Sequence, residues 1–161
     1  MGLNPPRWHT NHRFKGDGLC MTSFSRAFEK FDAKGSPLSA SSRDGIWLLD
    51  DDASMLKALG RLLNSAGFTV EKFSNPADFL SKLEQEKCHV AILDVWMPDM
   101  NGLEVQACLR RDSPETRIIF ISGRDDPAVR QTALEGGAFG FLAKPFDDEV
   151  FLQLIHKAAA A

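Results

Sequence analysis

The stretch from His89 to Gly102, HVAILDVWMPDMNG, constrains the fold more than any other part of the chain. It opens with an apolar, partly β-branched run, His89 to Leu93, bounded by turn residues, and so reads as a buried strand. The run ends on a carboxylate, Asp94. Pro98 lacks the donor a central strand needs, and Asn101-Gly102 is turn chemistry, so the strand stops there. Asp94 therefore stands at the carboxyl end of a buried strand, the edge of an open α/β sheet where ligands bind. One Asp in that place could merely open a loop. Its weight depends on what the other strand ends carry.

From Ile46 onward, strand and helix patterns alternate. Ile46 to Leu49 is a short apolar strand that runs into Asp50-Asp51-Asp52. Met55, Leu56, Leu59, Leu62, Leu63 and Ala66 recur at helical spacing, and Gly67 closes that helix. Phe68 to Phe73 alternates apolar and polar residues, as an edge strand does. Ser74 or Asn75 caps the next helix, with Pro76 at its first position and Phe79, Leu80 and Leu83 facing inward. After the His89 strand come a helix around Leu103 to Leu109, a strand Arg117 to Ile121 followed by Ser122-Gly123, and a helix Pro127 to Glu135 closed by Gly136-Gly137. A fifth strand, Ala138 to Ala143, ends at Lys144-Pro145. Asp147 to Ala159 is the last helix, with acids in its first turn and Lys157 in its last, as the helix dipole favours. Such alternation implies a parallel sheet with right-handed crossovers and helices on both faces. The amphipathic second strand belongs at an edge. The expected fold is therefore α/β, flavodoxin-like and doubly wound, five parallel strands in order 2-1-3-4-5 with five helices.

Residues 1–43 have a different character. Lys and Arg outnumber Asp and Glu there by 7 to 3, against 12 to 19 in residues 44–161. The segment is rich in Gly, Ser, Asn and Pro and reads as a disordered basic extension. The division expected is thus 1–43, extension, and 44–161, folded domain. The chain carries no apolar run near the ~20 residues of a membrane helix. Its 3 cysteines lack metal-type spacing and read as reduced thiols of a cytoplasmic protein.

The strand ends converge. Strand one ends at Asp50-Asp51, strand three at Asp94, strand four at Ser122 and strand five at Lys144, all on one edge if the sheet is parallel. Like-charged carboxylates gathered there repel, each pair costing about 4 kcal/mol at ~4 Å and an effective dielectric of ~20. A hard divalent cation removes that cost, and oxygen ligands with room for water suit Mg²⁺. Lys144 adds a cation for a phosphoryl oxygen and Ser122 a hydroxyl. A nucleophile, a metal and a positive clamp are what phosphoryl transfer to a carboxylate requires. Trp96 and Arg124, two residues after Asp94 and Ser122, are placed to flank the approach.

LLDDD, ILDVWMPDMNG, FISG and FLAKPF, in this order and spacing, resemble the receiver domain of two-component response regulators, and among these the receivers of the nitrogen-fixation transcription regulators. The resemblance covers residues 44–161. It implies that Asp94 accepts a phosphoryl group from a histidine kinase or histidine phosphotransfer protein. It implies that Asp50, Asp51, Asp94 and the main-chain carbonyl of Trp96 hold Mg²⁺. Ser122 and Phe141 would be the switch pair, Lys144 the phosphate-binding lysine, and Lys144–Pro145 a cis bond.

The expected protein is a cytoplasmic single-domain regulator, not an enzyme beyond catalysing its own phosphorylation and slow dephosphorylation. It would signal by phosphorylation-dependent protein contacts, without binding DNA or membrane. Two copies would pair, if at all, through the fourth helix, fifth strand and fifth helix. Two rivals stand beside this. One is a receiver-like interaction module that is never phosphorylated. The other is a dehalogenase-like phosphatase using Asp50 and Asp52 as a DxD motif, which would leave Asp94 idle.

Overall fold

The computed structural model describes residues 45–161; the expected basic extension over residues 1–43 lies outside the described residues. Five strands, β1 (Gly45–Leu49), β2 (Thr69–Phe73), β3 (Val90–Asp94), β4 (Arg117–Ser122) and β5 (Gly140–Ala143), alternate with five helices. The helices are α1 (Ala53–Ser65), α2 (Pro76–Gln85), α3 (Gly102–Asp112), α4 (Pro127–Glu135) and α5 (Asp148–Ala160). The sheet is wholly parallel, in order β2-β1-β3-β4-β5. This is the doubly wound, flavodoxin-like arrangement expected from the alternation.

Burial follows the order. Every residue of β3 is buried, whereas β2 at the edge buries only Phe73. Alternate strand residues feed two cores. Trp47, Leu49, Ala91, Leu93, Ile118 and Phe120 meet α2, α3 and α4, while Ile46, Leu48, Val90, Ile92, Ile119 and Ile121 meet α1 and α5. Side chains on a strand point alternately to its two faces, so apolar runs without polar breaks are what a sheet covered on both sides needs.

Two strands begin later than their sequence pattern suggests. Phe68 and Ala138 belong to helix ends. Gly67 and Gly137 have φ of 92° and 87°, a backbone region open to glycine. The N–H of Phe68 donates to Leu63 O at 3.1 Å and that of Ala138 to Ala133 O at 3.0 Å. Gly67 and Gly137 donate to Asn64 O and Leu134 O. Each helix thus closes with the paired 6→1 and 5→2 bonds that satisfy its last carbonyls, and the chain turns directly into a strand. These turns set the heights at which β2 and β5 enter the sheet.

Candidate functional site

The carboxyl edge of the sheet gathers the chemistry. Asp94 is the last residue of β3, and Asp50 directly follows β1. β1 and β3 are neighbours in register, so the two carboxylates issue side by side. Both are buried, Asp50 to 1% exposure and Asp94 to 4%, whereas Asp51 is exposed. Lys144, just past β5, reaches back across β4. Its Nζ lies 2.9 Å from Asp50 Oδ2 and 3.1 Å from Asp94 Oδ1. The Lys144 backbone N–H donates to Ser122 O at 2.7 Å, and the Lys144–Pro145 bond is cis.

Burial pushes the Asp94 carboxyl above its ordinary range, against the pull of Lys144, and the charges of Asp50 and Asp51 push the same way. Burial works against the Lys144 ammonium too, but its bonds to Asp50 and Asp94 outweigh that and hold its pKa up. The pocket is thus rich in negative charge. One half-buried cation, Lys144, already serves as a counter-charge there.

Asp52 is committed elsewhere. Its side chain caps α1, accepting from the N–H groups of Ser54 at 2.8 Å and Met55 at 3.3 Å. Its own N–H donates to Asp50 Oδ1 at 2.9 Å, which fixes the Asp50 rotamer. Carboxylate oxygens of Asp50, Asp51 and Asp94 lie within 4.8 Å of one another. Three hard oxygen donors at that spacing, on a partly open rim, fit a small divalent cation such as Mg²⁺.

Ser122, the last residue of β4, is fully buried. Its Oγ donates to the carbonyl of Arg124 at 2.8 Å and accepts from the Arg124 N–H at 3.2 Å. Above the strand ends, the Arg124 guanidinium lies 5.1 Å from the Trp96 ring centroid. Trp96 is 42% exposed. Phe141 in β5 is buried, 6.2 Å from the Phe120 ring, and the Arg130 guanidinium covers it at 4.8 Å. Arg130 is held in turn by Asp125, 2.8 Å away.

The structure therefore brings Asp50, Asp51, Asp94 and Lys144 into one pocket, with Ser122 and Trp96 at the adjoining strand ends. Two residues of the turn after β3, which the sequence marks only as turn chemistry, also shape the site. Asn101 is the N-cap of α3 in a reciprocal capping box with Glu104. Gly102 is the close approach: a Cβ there would meet the Asp94 carbonyl oxygen at 2.3 Å and a Phe120 ring carbon at 3.0 Å. A side chain at this position would push α3 off the end of β3. The proximity of Asn-Gly to the end of the Asp94 strand was the available signal. Two concavities among the described residues, one between α2 and α3 and one around Cys88 and His89, are lined by residues away from this pocket.

Comparison with known proteins gives a consistent picture. The family model for the response regulator receiver domain matches residues 46–156. The response regulator protein TodT of Pseudomonas putida is 42% identical over 113 residues, 70% of this chain and 50% of TodT. The chain spans about half the length of the TodT and TmoT relatives it matches. A CheY-like receiver domain protein from Methanospirillum hungatei superposes with a TM-score of 0.70 at 26% identity, covering 73% of this chain and 94% of that one. A response regulator from Burkholderia pseudomallei, solved with a phosphorylated aspartic acid and a calcium ion, gives 0.66 at 26% identity, over 73% and 69% of the two chains.

Proposed function

The chain belongs to the response regulator receiver family, and on that footing we propose that it accepts a phosphoryl group on Asp94 from a histidine kinase or histidine phosphotransfer protein. The observation that carries the reading is the placement of Lys144 Nζ between the buried carboxylates of Asp50 and Asp94. It leaves Asp94 as a poorly solvated, electron-rich nucleophile with a cation at its shoulder.

In the transfer, an Asp94 oxygen attacks phosphorus, the phosphorus–nitrogen bond of the donor phosphohistidine breaks, and the donor ring, protonated on its other nitrogen, departs as neutral imidazole with the electron pair. Lys144 moves its contact from Asp94 Oδ1 to a phosphoryl oxygen, a short displacement for a flexible ammonium. Ser122 gives up the Arg124 carbonyl and donates to another phosphoryl oxygen, a charge-assisted bond. Asp50, Asp51, Asp94 and the Trp96 main-chain carbonyl would hold Mg²⁺, which when bound neutralises charge on the phosphoryl oxygens. Catalysis is then positioning and charge balance, and the acceptor is consumed in each cycle.

Ser122 and Phe141 form the proposed switch. Movement of the Ser122 hydroxyl frees the Arg124 carbonyl and loosens the loop that carries Asp125. Asp125 holds Arg130, and Arg130 covers Phe141, so the change reaches the face made by α4, β5 and α5 through contacts. That face is the proposed output, and the surface through which two copies would pair.

We assign residues 44–161 to the receiver and 1–43 to a separate basic extension. With 12 Lys and Arg against 19 Asp and Glu, the receiver portion is acidic, which favours protein contact over phosphate backbones as its output. No helix among the described residues is long and apolar enough to cross a membrane; the cytoplasmic location we propose rests on membership of the receiver family. The dehalogenase-like alternative would need Asp52 in the chemistry, and that side chain is engaged as a helix cap. The test is phosphotransfer from labelled histidine kinases. Label should pass to the wild-type chain and not to Asp94→Ala; label retained by Asp94→Ala rejects the assignment.

A further inference from the structure

The Asn101–Gly102 pair carries a reactivity of its own that the phosphoryl chemistry does not use. Asn4 and Asn75 precede proline, Asn11 precedes His12 and Asn64 precedes Ser65; Asn101 alone among the asparagines is followed by glycine. A glycine has no Cβ to obstruct its nitrogen, which can therefore approach the carboxamide of the preceding residue most freely.

The fold keeps that approach closed. The Gly102 N–H donates to Val95 O at 2.9 Å. The Asn101 side-chain oxygen accepts from the Glu104 N–H at 3.0 Å, and Glu104 Oε2 accepts from the Asn101 N–H at 2.9 Å. Gly102 is buried at the end of β3, where an added Cβ would meet the Asp94 carbonyl oxygen at 2.3 Å. The nitrogen is held in the first turn of α3 with its proton committed to a carbonyl, and the carboxamide is turned toward its own helix. An amide bonded in this way gives its proton to base only when the bond opens.

Resting in part on the reading of Asp94 as acceptor, we infer that Asn101–Gly102 is a self-modification site, a deamidation centre that the docking of α3 onto β3 holds shut and whose rearranged product takes no phosphoryl group. The Gly102 N–H gives its proton to base, and the nitrogen attacks Asn101 Cγ. The new bond closes a cyclic imide. The bond from Cγ to the side-chain nitrogen breaks, and that nitrogen leaves as ammonia with the electron pair and a proton from water. Water then opens the imide at either carbonyl. Opening at Cγ gives Asp, which caps a helix as well as Asn does. Opening at the main-chain carbonyl gives isoaspartate, which routes the chain through the side chain and inserts a methylene before Gly102. Gly102 has no room to absorb that added length, because the Asp94 carbonyl stands where a Cβ would be. The isoaspartyl product therefore displaces α3 from the end of the acceptor strand.

The chain is incubated at mildly alkaline pH, folded and in urea, and the peptide carrying residue 101 is followed by its mass gain, with Asp and isoaspartate separated by chromatography. Folding should slow the reaction about thirtyfold, the combined size of one side-chain cap and one backbone hydrogen bond. Glu104→Ala removes half of the capping box from an exposed position and should speed the folded protein about fivefold, while Glu104→Gln keeps the box and should stay near wild type. Equal rates in folded and denatured chain, or in wild type and Glu104→Ala, overturn the inference, as does reaction at Asn64–Ser65 that keeps pace with Asn101. The purified isoaspartyl fraction is then offered acetyl phosphate in millimolar Mg²⁺ beside Asn101→Asp. Asn101→Asp should be phosphorylated like the wild type and the isoaspartyl fraction should not; a fully reactive isoaspartyl fraction overturns the link to the acceptor. Failure of the underlying reading looks different: neither the wild type nor Asn101→Asp is then phosphorylated, while the deamidation rates stand.

Discussion

Replacing Lys144 with Met tests whether the ammonium is the counter-charge of the pocket. Met keeps much of the side-chain length and removes the charge that lies 2.9 Å from Asp50 and 3.1 Å from Asp94. The Lys144 side chain is only 19% exposed and the carboxylates far less, so solvent cannot replace it fully. Removing one member of a buried charge cluster costs about 3–5 kcal/mol, because uncompensated charge is left behind. At roughly 4 °C per kcal/mol for a domain of this size, the melting temperature should fall by about 12–20 °C in EDTA at neutral pH. The deficit should shrink as the solution is acidified. Asp94 already has a raised pKa, and loss of Lys144 raises it further. A carboxyl whose folded pKa lies above its unfolded one favours folding below the unfolded value and loses that contribution as pH rises through the folded value. Protonation therefore relieves the variant at low pH. Millimolar Mg²⁺ should also restore part of the loss, since a bound cation replaces the missing charge. A Lys144→Met protein that melts with wild type in EDTA at neutral pH would refute the counter-charge argument.

Other consequences can be checked in parallel. Mg²⁺ should raise the wild-type melting temperature by mass action, and Asp51→Ala should abolish most of that response; an unchanged melting temperature in millimolar Mg²⁺ would displace the metal assignment. Burial pushes the Cys88 thiol up to about 12, so Cys88 should react far more slowly with a thiol reagent at pH 8 than the partly exposed Cys108. The stability held by that raised pKa should be lost between about pH 9 and 12, and Cys88→Ala should flatten that part of the stability curve. With beryllofluoride and Mg²⁺ as a phosphoryl mimic, Ser122→Ala and Arg130→Ala should each lose most of the NMR shifts over residues 127–159; undiminished shifts in both would remove the Ser122–Phe141 route.

Much of the architecture was legible because it rests on period and punctuation. Apolar runs without polar breaks marked the central strands, the alternation of Phe68 to Phe73 marked the edge, and Asp50, Asp94, Ser122 and Lys144 stood at strand ends that a parallel sheet must bring to one rim. Where strands begin was less legible. Phe68 and Ala138 look like strand residues by hydrophobicity, yet their N–H groups are spent closing α1 and α4. Side-chain partnerships were legible only as proximity. Spacing put Lys144 near the acids, but not between Asp50 and Asp94, which lie 94 and 50 residues away in sequence. It placed Trp96 and Arg124 beside the site, but not one over the other, because rotamers answer to three-dimensional neighbours. Arg130 over Phe141 gave no sequence signal at all. The engagement of Asp52 as a helix cap, which weakens the DxD alternative, was legible as an acid at the start of a helical pattern; the geometry of α1 settles it on Asp52 rather than Ser54.

The most direct test of the central claim is chemical mapping of the acyl phosphate. The wild-type chain is phosphorylated in Mg²⁺, reduced with borohydride, which converts an aspartyl phosphate to homoserine, and sequenced by tandem mass spectrometry. The account predicts homoserine at position 94 and an intact Asp at 50, 51 and 52. Homoserine at position 50 with Asp94 unchanged would contradict it and favour a DxD phosphatase, and reduction at no position would mark a receiver fold that does not take a phosphoryl group.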